Sequence, residues 1–254
     1  MWLRLRQIAG VAAELKPVED ELTDVLGIEV CYRDPNIDYF GLENALFPIG
    51  NQLLEVVAPI QENTAGGRYL ERRGGDGGYM VITQCDDHMP RRQRVNELGI
   101  QIVHDTSSDQ FINMQLHPRD TGGTFFEIDQ QLGEGALERD GPWHPAGVDW
   151  KAGQRLDRVT GISAAEVQCD DPEDVARRWS EVAETDLEIS DGEFLLALEN
   201  AVVRFVDCTD GRPEGLGGID LEVVDRDRIL EAAEKRRRIS SDNQVYLCGM
   251  RMNI

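Results

Sequence analysis

The chain has 254 residues, of which 41% are hydrophobic, so it can bury one or two full cores, and its length suggests two domains. Its net charge of -22, from 26 basic against 48 acidic residues, argues against nucleic acid or an anionic membrane as a partner. No run of 18 apolar residues occurs and Met1 to Arg6 lacks the apolar centre of a signal peptide, so a cytoplasmic location is expected.

In chain order, residues 3 to 12 predict a strand. A helix follows from Pro17, with Val18, Leu22, Val25 and Leu26 on one face and Gly27 as its stop. Strands are expected at 28 to 32, 41 to 47 and 52 to 57, separated by Asp-Pro-Asn and Pro-Ile-Gly-Asn turns. A helical connector, 64 to 73, leads into a second cycle: strand 79 to 85, helix 90 to 98, and strands near 100 to 104, 111 to 116 and 124 to 128. Both cycles read βαβββ.

Residues 130 to 157, rich in Gly, Pro, Asp and Trp, predict a linker that packs through Trp143 and Trp150. A third cycle runs from strand 159 to 168 through a helix carrying Val175, Trp179 and Val182 to strands ending near 201 to 206. A fourth has a strand at 218 to 224, a helix at 225 to 238 and a last strand near 245 to 248. Gln84-Cys85-Asp86-Asp87 returns as Gln168-Cys169-Asp170-Asp171, each copy closing a strand, which marks an internal repeat. The expectation is an α+β chain of four βαβββ modules in two pairs, residues 1–130 and 158–254, joined by a linker at 131–157.

The last strand of each of the first two modules carries one carboxylate inside an apolar run: Glu55 in Leu53-Leu54-Glu55-Val56-Val57, and Glu127 in Phe125-Phe126-Glu127-Ile128. Strand alternation puts Glu55 on the face of Leu53 and Val57, where an unpaired charge is costly. Such a group is metal-bound, paired or protonated. Glu55 and Glu127 stand 72 residues apart, and the first-strand residues Gln7 and Met80 stand 73 apart.

This pattern resembles the vicinal oxygen chelate superfamily, the glyoxalase and extradiol dioxygenase relatives, in which paired βαβββ modules curl around a shared site. The resemblance covers residues 3 to 130 well and the second pair more weakly. It implies a divalent metal (Mg, Mn, Co, Ni or Zn) held by first-strand and last-strand side chains, which here fall at Gln7, Glu55, Met80 and Glu127. A Gln amide oxygen can ligate such an ion, but a thioether is a poor partner for a hard one. The ligand set is then Gln7, Glu55 and Glu127, and a metal-free site is the alternative. In the second pair the repeat sets Ala164 against Met80, and Val203-Arg204-Phe205 lacks the glutamate, so no metal is expected there.

Arg68, Arg72 and Arg73 beside the turn 74–78 could hold a carboxylate or phosphate, or serve only as the solvated end of a helix. His117, before the Glu127 strand, and His144, in the linker, are candidates for a base or a replacement ligand; Asp76 and Tyr79 are lesser candidates. His88 and His104 read as surface or structural. The five cysteines are scattered with no C-x-x-C pair, which fits reduced packing residues. No Gly-x-Ser-x-Gly elbow is present.

The resemblance implies a lyase, isomerase or epimerase in which Glu55 and Glu127 move a proton and an enolate is stabilised on a small carbonyl, carboxylate or acyl-thioester compound. The alternative is a protein of the same fold that binds a small molecule without changing it. Extradiol dioxygenase chemistry fits less well, because Gln7 and Met80 stand where two iron-binding histidines would be needed. The sequence leaves a homodimer open.

Overall fold

The computed structural model describes residues 1–190 and 192–254. A seven-stranded sheet has the order β2-β3-β1-β4-β7-β6-β5. It is built from β1 (Leu3–Val11), β2 (Leu42–Ile49), β3 (Gln52–Pro59), β4 (Gly77–Cys85), β5 (Ile102–Ser107), β6 (Phe111–Leu116) and β7 (Phe125–Gln131). An eight-stranded sheet, β13-β14-β15-β12-β8-β11-β10-β9, follows the linker. Its strands are β8 (Val159–Cys169), β9 (Leu187–Ser190), β10 (Glu193–Ala197), β11 (Val202–Asp207), β12 (Gly215–Val223), β13 (Ile239–Ser241), β14 (Gln244–Leu247) and β15 (Met250–Asn253). The helices are α1 (Leu15–Leu26), α2 (Ala65–Arg73), α3 (His88–Glu97), α4 (Pro118–Thr121), α5 (Pro172–Ala183) and α6 (Arg226–Arg236).

In all four modules the first strand runs parallel to the last, as β1 with β3, β4 with β7, β8 with β11 and β12 with β15. This is an α+β fold of four modules, two to each sheet. Alternation along each strand gives two faces. Leu5 and Ile8 of β1, Leu54 and Val56 of β3, and Phe126 and Ile128 of β7 join Ala165, Val167, Ile219 and Met252 of the second sheet in one core with α1, α3, α5 and α6. The opposite face of the first sheet carries Leu53, Glu55, Val57 and Glu127.

Two bulges shape that face. Between Leu5 and Gln7 the register against β4 slips by one, so Arg6 is an extra residue and both Arg6 and Gln7 leave the core side. A second slip leaves Tyr79 unpaired on β4 beside Met80.

Two expectations are corrected. No strand forms at 28 to 32; only Tyr32 makes an isolated bridge, to Leu46. The Asp34-Pro35-Asn36 turn cuts the run short, and Gly147 and Gly153 of the linker lie against Tyr32 and Cys31, covering it. At the other end the last predicted strand is a hairpin, β14 and β15, which turns at Cys248 and Gly249 with φ of 49° and 64°. Among the described residues no helix is long and apolar enough to cross a membrane.

Candidate active site

The strand registers fix which residues are equivalent. Gln7 lies opposite Leu53 and Ala9 opposite Glu55, just as Met80 lies opposite Phe125 and Ile82 opposite Glu127. Gln7 therefore matches Met80, and Glu55 matches Glu127. In the third module Ala164 faces Val202 and Glu166 faces Arg204, so alanine stands at the Gln7 position and arginine at the Glu55 position. In the fourth, carrying the antiparallel pairing of β8 and β12 across, glycine 218 and asparagine 253 take the two places.

Glu55 is 9% exposed and receives two amide donors, Nε2 of Gln7 at 2.8 Å and Nδ2 of Asn44 at 2.7 Å. Burial pushes its carboxyl up from the ordinary range and the two donors oppose that shift. Gln7 is itself held at its other end, where its Oε1 accepts from the indole N–H of Trp143 at 2.9 Å.

Across the face, Glu127 is 8% exposed and shares its side of β7 with Asp129, which is fully buried. Burial and the charge of Glu55 push Glu127 up to about 7, against donors from Asp129 and Asn113. Asp129 is also raised, by burial and by the neighbouring Glu127. Its Oδ1 accepts from Asn113 and from the backbone N–H of Met114, while its Oδ2 has no ordinary donor. Two adjacent buried carboxyls of this kind titrate as a pair, each disfavouring the charge of the other. Gln115 completes the row; its amide reaches only the Met80 sulfur, at 3.7 Å, among the described residues.

The linker fills one end of this face. Trp143, Ala146 and Trp150 pack with Ala9, Leu46, Leu53, Ile82 and Phe111. Its carbonyls are taken by the strands beneath: Ala136 by Gln84, Leu137 by Arg4, and Arg139 and Gly141 by Arg6. The expected packing through Trp143 and Trp150 is what the structure has, with both under 3% exposed. At the other end, Val11, Leu42, Val57, Tyr69 and Tyr79 form an apolar cluster against Met80 and Phe125. Phe40, just before β2, meets His104 of β5 edge-on at 5.2 Å, so the two margins of the sheet almost touch.

The structure splits the remaining candidates. Arg68 and Arg72 are exposed on α2, near enough to the Tyr79 hydroxyl for their charge to act on it, and Arg72 lies over the Tyr69 ring at 4.8 Å. Burial pushes the Tyr79 phenol up to about 12. Arg73 turns the other way and donates to the Pro213 carbonyl. Asp76 accepts from the backbone N–H of Ala13, and its carbonyl accepts from Arg212. His117 caps α4, its Nδ1 accepting from the backbone N–H of Arg119. His144 is exposed, stacked on Phe111. None of Arg73, Asp76, His117 and His144 hydrogen-bonds either glutamate among the described residues.

Asn44, Asn113, Gln115 and Asp129 were missed from sequence. For Asp129 the signal was available, since it lies two residues beyond Glu127 on one strand face. The others depend on hairpin register.

The donor set does not fit a divalent ion as it stands. The Gln7 oxygen is engaged by Trp143, both Glu55 oxygens accept amide N–H groups, Met80 offers sulfur, and burial disfavours the charged form of Glu127 that a cation would need. Among the described residues no three His, Cys, Asp or Glu side chains converge on a metal position. The same face of the second sheet is closed by ion pairs. Arg204 bridges Asp220 and Glu166, and Arg251 bridges Glu166 and Asp210.

No family model and no curated protein sequence matches the chain. Among solved structures, a hypothetical protein from Staphylococcus aureus superposes over 99% of this chain and 98% of its own, with a TM-score of 0.67 at 12% identity. Methylmalonyl-CoA epimerase from Streptomyces coelicolor, in complex with 2-nitronate-propionyl-CoA, covers 52% of this chain and 100% of its own, with a TM-score of 0.47 at 20% identity. The Mycobacterium tuberculosis epimerase covers 51% and 89%, with a TM-score of 0.45 at 21% identity. The whole-length match shows the shared fold, and the two epimerase matches are too distant to carry chemistry.

Proposed function

We propose that the face carrying Glu55 and Glu127 is an acid–base site that moves a proton beside the carbonyl of a small carboxylate or acyl-thioester compound, as an isomerase, epimerase or lyase does. The observation that carries this reading is the pair of register-equivalent buried glutamates, one cradled by amide donors and the other brought near neutral pH. A base near neutral pH combines a useful unprotonated fraction with real proton affinity. One carboxylate takes the proton from carbon, the electron pair moves onto the carbonyl oxygen, and the opposing carboxylic acid returns a proton when the carbonyl re-forms. The Gln115 amide, weakly engaged by sulfur, is the donor best placed to meet the enolate oxygen. Arg68 and Arg72 would hold an anionic end of the substrate outside the Tyr69–Tyr79 cluster, and residues 158–254 would brace the working half.

The test is exchange of solvent deuterium into a panel of 2-oxo acids, branched carboxylates and acyl thioesters, followed by proton NMR. At least one compound should exchange, and Glu55→Gln and Glu127→Gln should each slow it by about 100-fold or more with the fold intact. The second reading, binding without turnover, is favoured by the low exposure of both glutamates. Tight binding of a panel compound without exchange, unaffected by either substitution, would replace the first reading with the second.

A further inference from the structure

The Gln7 amide is one of the three side chains that the sequence resemblance implies as metal ligands, yet both of its ends are already committed. Its nitrogen donates to Glu55 and its oxygen accepts from the Trp143 indole, at 2.8 and 2.9 Å. Turning the amide over would set an NH2 against the indole N–H and a carbonyl oxygen against a carboxylate, leaving two buried pairs unsatisfied. The indole has no acceptor atom, so its partner must be the amide oxygen. Trp143 belongs to neither module of the first pair. It arrives on the linker, is 1% exposed, and lies on a segment whose carbonyls are gripped by Arg4, Arg6 and Gln84.

We propose that Trp143 is a positioning residue that locks Gln7 as a hydrogen-bond donor to Glu55, so that the linker turns the chelating corner of this fold into a metal-free carboxylate cradle. Asn44 supplies the second donor, and the Met80 sulfur replaces the ligand a hard cation would need. The inference concerns the donor geometry and does not depend on which reaction, if any, the glutamates perform.

Binding of Mn2+ to the full chain, followed by electron paramagnetic resonance, tests it, with Glu55→Gln as the control for weak association with an acidic surface. The wild type should bind no tighter than Glu55→Gln. Met80→His should add little alone, because Gln7 stays locked, whereas Met80→His with Trp143→Phe should bind one ion about 10-fold to 100-fold more tightly than Met80→His. That gain should vanish when Glu55→Gln is added. A stoichiometric ion in the wild type that is lost in Glu55→Gln overturns the proposal, as does a double variant no better than Met80→His.

A second measurement needs no altered linker. In a 15N-labelled wild type the Trp143 indole N–H should resist exchange with solvent and should shift in Gln7→Glu. Rapid exchange, or a resonance indifferent to Gln7, sinks the lock even if the tryptophan variants fail to fold.

Discussion

Glu127 ties the stability of the protein to pH. Its carboxyl titrates near 7 in the folded chain, above its unfolded value of about 4.3, because burial disfavours its charge. A carboxyl raised in this way contributes stability that is complete below the unfolded pKa and is lost as pH climbs through the folded one. Thermal melts between pH 4.5 and 7.5 should therefore show the wild type losing stability relative to Glu127→Gln as pH rises, with parallel curves refuting the assignment. His88 has the opposite sign: burial lowers its imidazole to about 4, so its contribution is lost as pH falls from about 6.5. Comparing each protein with its own variant separates the two. Glu55 and Glu127 were legible in the sequence because a carboxylate inside an apolar run has few tolerable fates. Asn44 and Trp143, which decide how Glu55 and Gln7 are held, were not. The first reaches Glu55 only through the β2–β3 register, and the second from 136 residues away.

Among the elements, the linker departs furthest from its sequence appearance. Gly, Pro and Asp mark residues 130 to 157 as irregular, and the buried tryptophans hint at packing, but nothing local says that the segment lies inside the cleft of the half it leaves. Trp150→Ala should cost about 3–5 kcal/mol in denaturant unfolding, since the side chain is fully enclosed and the rigid strands cannot close on the void. A cost under 1 kcal/mol would mean that the linker is not docked. Strand periods and cap residues carried most other elements: Gly27 ends α1 in the left-handed region, and Thr64 caps α2 through the N–H of Gly67. The bulges at Arg6 and Tyr79 were invisible, because one extra residue in a strand leaves the hydrophobic pattern readable on either side. β15 was missed because Cys-Gly is a weak hairpin signal beside Asn-Gly or Asp-Gly.

At the scale of the whole molecule, the periodicity in the sequence marks two module pairs, and the apolar faces of the two sheets share a core. Gly249 sits where the halves meet, at a φ of 64°, and a Cβ built there would lie 1.8 Å from the Asp76 carbonyl oxygen. Gly249→Ala should cost about 3 kcal/mol, from backbone strain together with overpacking at the joint. Unfolding followed by tryptophan fluorescence and by circular dichroism should give one shared midpoint; two separated midpoints would show the halves to be independent. Because the halves are held by this common interior, the linker has no tethering duty. Its crest, Gly133 and Glu134, is open to solvent, while the stretch that follows is pinned beneath through the carbonyls of Ala136, Leu137, Arg139 and Gly141. Proteolytic nicking at that crest should therefore leave a protein that still sediments as one particle while its hollow becomes accessible: the peptide that joins the two parts serves the finished molecule as a stopper.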